Sequence, residues 1–215
     1  MKKVYLFDFD GTIVNSIPQF VKVVDKMLNE IIEKDHIVVP NDFYTQVIPL
    51  GYWGFAKYVK DLGASMSIEE IVERVVEAII YEYDNVILPK NNVHKTLAEL
   101  KSRGYSLNVL TGSPHRIIKN CMIRNDLNKY FDNVWSVDDF GLTKTNPQVF
   151  YEVAKKLNAS PSDIIFMDDN MLCNKTAKEA GLITYGCHDE TSNPNVEEFK
   201  KYCDRYIYDF IELLD

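Results

Sequence analysis

Apolar residues fall into two textures along the chain. Short apolar and aromatic runs at residues 4–9, 107–110, 134–137, 164–167 and 183–185 are closed by charged or turn-forming residues, the pattern of strands buried on both faces. The segments between the later runs repeat their apolar residues with a helical period instead. Strands alternating with helices in this way predict a doubly wound parallel α/β sheet. Boundary residues agree. Ser113-Pro114 and Asn146-Pro147 each set a capping side chain before a proline suited to a first helical turn, and Gly104 and Gly181 stand where a helix end needs a flexible residue.

Between the first run and Leu107 the texture changes. Residues 16–88 hold no convincing alternating strand but two long amphipathic segments: Ile17, Phe20, Val21, Val24, Met27, Leu28, Ile31 and Ile32, then Ile68, Ile71, Val72, Val75, Val76, Ile79 and Ile80. Ser67 and Glu70 have capping-box spacing at the head of the second, with Met66 and Ile71 placed as a hydrophobic staple. Shorter segments at residues 43–48 and 52–59, with a bend at Pro49-Leu50-Gly51, complete a predicted helical bundle. The expected division is therefore a core of residues 1–15 and 89–215, interrupted by a helical domain of residues 16–88.

Composition narrows the class of partner. With 215 residues, 46% of them apolar, and only 9 Gly and 8 Pro, the chain can bury a core without staples. Thirty-two acidic against 24 basic residues give a formal charge of −8 and a pI near 5.1, the wrong sign for a nucleic-acid polymer. Cys121, Cys173, Cys187 and Cys203 form no CxxC pair, which argues against a zinc knuckle or a disulfide framework and fits a reducing cytoplasm. The opening apolar run meets Asp8 far short of the length of a signal peptide or membrane helix, so no membrane partner is expected.

Chemistry concentrates at the ends of the apolar runs. In Asp8-Phe9-Asp10-Gly11-Thr12, two carboxylates stand on alternate residues, and a turn at Gly11 can swing the second over the site of the first. One could then attack phosphorus while the other exchanges protons; a capping acid before a glycine turn is the alternative. Thr111, Gly112 and Ser113 end another run, where a hydroxyl and free amides can hold phosphate oxygens or Ser113 can simply cap a helix. Lys144 lies in a loop, either solvated or neutralising charge in a phosphate site. Asp168 and Asp169 end the run at residues 164–167, and oxygen ligands at two neighbouring strand ends suit Mg2+.

Together these motifs resemble the haloacid dehalogenase superfamily, in its branch of phosphoglycolate phosphatases and beta-phosphoglucomutase-like proteins. The match runs the length of the chain, from the DxDGT pattern at Asp8 to the acidic pair at Asp168 and Asp169. The resemblance implies a Rossmannoid core with residues 16–88 as a helical cap. It implies Asp8 as nucleophile, Asp10 as general acid and base, Thr12 as a support for the loop, Thr111 and Gly112 as phosphate contacts, and Lys144 in both catalysis and phosphate binding. Asp8, the Asp10 carbonyl and Asp169 would be direct Mg2+ ligands, with Asp168 binding directly or through water. Two departures stand out. The first proline of the family's Lys-Pro-x-Pro loop is replaced by Thr145, and the acid many relatives carry four residues after Asp169 is Cys173, here a packing residue with Asn174 beside it as a hydrogen-bond donor. Gly51, Tyr52 and Trp53 would lie at the cap bend that meets substrate, or pack within the cap.

Residues also choose among the branches. Asp10 argues against the dehalogenase and phosphonate-cleaving branches, and Phe20 stands where beta-phosphoglucomutase-like members have a histidine. The expected activity is hydrolysis of a small phosphorylated metabolite through an aspartyl phosphate. A sugar phosphomutase, or a phospho-ligand-binding protein of little turnover, are the alternatives.

Overall fold

The computed structural model describes residues 4–47, 50–192 and 195–215. The chain divides into two compact units, Met1–Asn15 with Leu88–Asp215, and Ser16–Ile87. The first holds a six-stranded, wholly parallel sheet of β1 (Val4–Phe7), β2 (Ser106–Thr111), β3 (Asn133–Ser136), β4 (Ile164–Asp168), β5 (Ile183–Cys187) and β6 (Arg205–Ile207), in the order β3-β2-β1-β4-β5-β6. The order reverses between β1 and β4. That is the switch point at whose carboxyl edge open α/β sheets leave a crevice for ligands.

Central strands in such a sheet have no wet face, which is why β1 and β4 read as unbroken apolar runs and are buried at every residue. On one side, Leu6 and Phe166 join a core with Val149, Phe150 and Val153, and the Phe150 and Phe166 rings meet edge to face at 5.0 Å. On the other, Phe7 packs on Phe131 and Phe210.

Around the sheet lie α5 (Val93–Ser102), α6 (His115–Arg124), α7 (Gln148–Leu157), α8 (Met171–Glu179) and the short α9 (Val196–Phe199). Gly104 and Gly181 follow α5 and α8 with φ of 81° and 89°, left-handed conformations that cost a side chain strain. Asn146 Oδ1 accepts the Gln148 amide at 3.0 Å just ahead of α7, whose cap position is Pro147. Ser113 does not cap α6: that helix begins at His115, no side chain caps it, and the Ser113 hydroxyl is engaged elsewhere.

Two strand ends fall short of the sequence expectation, and one strand is additional to it. The first strand stops at Phe7, although the Asp8 amide still donates to the Met167 carbonyl at 2.8 Å, because the chain then winds so that the Ile13 and Val14 amides both return to the Phe9 carbonyl. Val137 leaves β3 for a 3-10 turn that Ser136 caps by accepting the Asp138 amide. The three-residue edge strand β6 was not foreseen, since a run of that length, rich in tyrosine and arginine, carries no apolar signature.

The second unit contains α1 (Ile17–Asp35), α2 (Phe43–Val47), α3 (Gly51–Asp61) and α4 (Ile68–Asn85), with α1 and α3 packed on α4. Val24, Met27, Leu28 and Ile31 of α1 and Ile71, Val72, Val75, Val76 and Ile79 of α4 are buried, one stripe per helix. Ile48 and Pro49, part of the expected second segment and bend, lie outside the described residues. Gly51, Tyr52 and Trp53 form the first turn of α3, with Gly51 at φ 65°. The capping box at α4 is complete, Ser67 Oγ accepting the Glu70 amide at 3.1 Å and Glu70 Oε2 accepting the Ser67 amide at 2.7 Å. Ser67→Ala should cost about 1 kcal/mol. This would be read as a lower urea midpoint at unchanged m, with Ser67→Asn recovering most of it.

Candidate active site

The parallel register sets the end of β1 beside the end of β4, Phe7 opposite Met167, so Asp8 leaves one strand where Asp168 and Asp169 leave the other. All three are buried, with exposures of 5%, 0% and 3%, and each offers a carboxylate oxygen within 4.8 Å of the others. Lys144 reaches in from the loop before α7, its Nζ 2.7 Å from Asp8 Oδ1 and 2.6 Å from Asp168 Oδ2. The absent proline at Thr145 is offset by hydrogen bonds: the Thr143 and Thr145 hydroxyls meet at 2.9 Å, and the Asn146 amide donates to the Thr143 carbonyl.

Each carboxylate has its own fixings. Asp168 Oδ1 accepts the Asn170 amide at 2.7 Å. Asp169 Oδ1 accepts from the Thr12 hydroxyl, whose oxygen in turn takes the Asp169 amide, and Asp169 Oδ2 accepts from Ser192 Oγ at 2.6 Å. A side chain on Gly11, which has φ 70°, would overlap the Asp169 carboxylate, so glycine is required there by both conformation and space. Lys144 lies close to Asp8 Oδ1 but off the line of a hydrogen bond, and that buried oxygen has no hydrogen-bond partner among the described residues.

Burial pushes the Asp8 carboxyl well above the ordinary aspartate range, with Lys144 pulling the other way. Burial and then the Asp168 charge push Asp169 up to about 7. Burial would strip the Lys144 proton, but Asp168 and Asp8 outweigh it and hold the ammonium charged. Were all three carboxylates ionised, the Lys144 ammonium would offset only one of their charges, and every donor is a hard oxygen. The cluster therefore fits a divalent metal ion. Cys173 belongs to the apolar core, its thiol pushed well up by burial, so it supplies no thiolate. Asn174 Nδ2 donates to the Asp168 carbonyl at 2.8 Å.

Asp10 is held apart from this cluster. Its Oδ2 accepts from Ser113 Oγ at 2.7 Å and stands 3.5 Å from Thr111 Oγ1, which itself accepts the Ser113 amide at 3.0 Å. Gly112 lies between them, and a Cβ there would meet no atom within 4 Å. The structure thus gathers Asp8, Asp10, Thr111, Lys144, Asp168 and Asp169 at one edge of the sheet, while Gly51, Tyr52 and Trp53 belong to the helical unit.

Sequence reasoning missed three supports. Ser113 was read as a cap, although its place two residues after Thr111 could have suggested a shared role. Asn170 caps α8, accepting the Leu172 and Cys173 amides, as an asparagine directly before a helix often does. Ser192 had no local signal, since only the fold brings it to Asp169.

A doubly wound parallel sheet with buried acids and a lysine at its switch point defines an α/β protein with a candidate cation and phosphate site at the carboxyl edge of the sheet. Residues 5–187 match the model of the haloacid dehalogenase-like hydrolases, and the chain belongs to that family. Over 176 residues it is 24% identical to the pyrophosphatase PpaX of Bacillus thuringiensis (strain Al Hakam), covering 77% of this chain and 73% of that one. Its fold is similar to a predicted phosphoglycolate phosphatase from Haemophilus somnus 129PT, with TM-score 0.80 and 21% identity over 99% of this chain and 96% of that one. It is also similar to CbbY from Rhodobacter sphaeroides in complex with xylulose-(1,5)bisphosphate, with TM-score 0.82 and 18% identity over 99% and 96%. Among the described residues no helix is long and apolar enough to cross a membrane.

The raised Asp169 predicts a pH dependence. Between the ordinary value of 3.8 and about 7, the unfolded chain has released this proton while the folded chain holds it, so raising the pH favours unfolding. Without metal, melting temperature should therefore carry a falling contribution across that window, reduced in Asp169→Asn. An unchanged slope in that variant would assign the titration to other groups.

Proposed function

We propose that this chain is a Mg2+-dependent phosphatase that hydrolyses a small phosphorylated metabolite through an aspartyl phosphate on Asp8. What supports the reading above all is the unequal pair on one strand end. Asp8 lies in the charged cluster against Lys144, and Asp10 lies 2.7 Å from a neutral hydroxyl. In the reaction, an Asp8 oxygen attacks phosphorus in line while the bond to the ester oxygen breaks, its electron pair leaving with that oxygen. Asp10 gives the leaving oxygen a proton. It then takes one from the water that attacks the aspartyl phosphate, releasing inorganic phosphate and restoring Asp8.

Thr111 and the Gly112 amide would hold the transferring phosphate's oxygens, and Lys144 would neutralise charge between them and Asp8. Bound by Asp8, Asp169 and the Asp10 carbonyl, with Asp168 direct or through water, Mg2+ would offset the charge that builds on the phosphate. Transfer back to a sugar is disfavoured because Phe20, whose ring packs against Tyr52 and Phe55, has no polar atom of its own to manage a second proton transfer.

Turnover of an aryl phosphate with Mg2+ should fall at least about a thousandfold in Asp8→Asn. Trapping of labelled phosphate on the wild-type chain but not on that variant would locate the intermediate. In Asp10→Asn, kcat/KM should fall by about 10² to 10⁴ for alkyl phosphates but less for aryl phosphates, whose leaving oxygen needs no proton. Equal losses would remove Asp10 from the acid's role.

We assign the helical unit the part of a cap that selects the leaving group, with Gly51, Tyr52 and Trp53 as its candidates; Trp53 is 62% exposed, more than packing within the unit requires. Trp53→Ala should change the ratio of kcat/KM between sugar phosphates and pyrophosphate by about tenfold or more. An unchanged ratio would return Trp53 to a surface role.

A further inference from the structure

A buried polar chain on the far side of Asp169 takes no part in the reaction above. It starts at Lys90, just beyond the point where the chain returns from the helical unit. The Lys90 amide donates to the Ile13 carbonyl, tying this segment to the turn that carries Thr12. Its ammonium donates to the His188 carbonyl at 2.7 Å and pairs with Asp189 Oδ2 at 3.1 Å, with side-chain exposures of 17% and 4%. The other Asp189 oxygen accepts the amides of Thr191 and Ser192 at 3.0 and 3.1 Å. Ser192 Oγ then donates to Asp169 Oδ2 at 2.6 Å.

A buried ion pair of this kind adds little net stability, because desolvation of two charges consumes most of their attraction. It does fix geometry. Lys90 anchors Asp189, Asp189 sets the loop after β5 by two amides, and the loop aims one hydroxyl at one oxygen. Thr12 already holds Asp169 Oδ1 from the opposite strand end. A carboxylate tied at one oxygen can still turn about its own bond, whereas one tied at both presents its remaining lone pairs in a single orientation.

Given the cation site read at Asp8, Asp168 and Asp169, on which this inference rests, we propose that Ser192 is a positioning residue for Asp169. Braced by Asp189 and Lys90, it sets the affinity of the carboxylate cluster for a divalent cation. Outer partners that orient a ligand typically contribute ten- to a hundredfold in metal affinity.

The test is a metal-binding titration on the full chain with no substrate: Mg2+ by calorimetry, and Mn2+ by loss of the free-ion paramagnetic resonance signal. Ser192→Ala should weaken both metals by about tenfold or more, and Ser192→Thr, which keeps the hydroxyl, should restore most of the affinity. Asp189→Asn, close in shape but unable to pair with Lys90, should weaken binding in the same direction. Combined with Ser192→Ala it should add less than its separate effect, because both act through one hydroxyl. Melting curves of each metal-free variant separate this from a general loss of fold. Wild-type binding with an equal affinity in Ser192→Ala would overturn the proposal and leave the cation site standing, as would a lowered melting temperature with unchanged affinity. A wild-type chain that binds neither ion would overturn both.

Discussion

Most of the site's construction answers one electrostatic constraint, the crowding of negative charge at the ends of β1 and β4. Three carboxylates within 4.8 Å of one another are buried almost completely. At that spacing each ionised pair repels by on the order of 3 kcal/mol, even at the effective dielectric of a protein interior. No local sequence preference would assemble such a group. The parallel ladder does it, by pairing β1 with β4 so that two chemically independent strand ends open at the same level. Lys144 relieves part of the repulsion, raised proton affinities at Asp8 and Asp169 relieve more, and the uncompensated remainder is what suits the cluster to a divalent cation.

The same constraint explains why the surrounding parts are small, hydroxylic or glycine. Gly11 must be glycine because the Asp169 carboxylate occupies the space of its side chain. Thr12 serves Asp169 twice, donating to its oxygen and accepting its amide, so one hydroxyl ties the first turn to the end of β4. These contacts hold acids in place without adding charge. The overall charge of −8 consequently does not set the field a substrate meets. An anion approaching the sheet edge would meet Lys144 and any bound cation there, while exposed charges more than a Debye length away are screened.

What could be read from the sequence followed the range of the interactions involved. The five longer strands, the capping box at Ser67 and the glycines ending α5 and α8 are written in local patterns, and the structure has them. So are the acids after β1 and β4, because a charged residue closing an apolar run marks a strand end. β6 was missed because an edge strand of three residues is held by its neighbour rather than by its own apolarity. Ser113 was misread because the same Ser-Pro pair suits a helix start and a turned loop, and the choice depends on Asp10, more than a hundred residues away. The Ser192–Asp169 and Lys90–Asp189 contacts are tertiary, although Asp189 also takes the nearby Thr191 and Ser192 amides. The partners in both contacts are distant in sequence, and nothing in their immediate neighbours distinguishes them from other loop residues.

The separation of Asp8 from Asp10 brings local and distant effects together. Side chains two residues apart share a face along an extended segment, so it is the end of β1 at Phe7 and the winding that follows it that give Asp8 and Asp10 different surroundings. The turn at Gly11 then brings both to the same edge without merging them. Asp8 meets an ammonium and two further carboxylates, whereas Asp10 meets the hydroxyls at the end of β2. Two groups of identical chemistry are thus given unlike surroundings by their neighbours. The charged setting places Asp8 against the Lys144 ammonium, which suits the nucleophile's role proposed for it. Asp10 instead accepts from the Ser113 hydroxyl at the end of β2, a neutral contact that suits the acid and base role proposed for it.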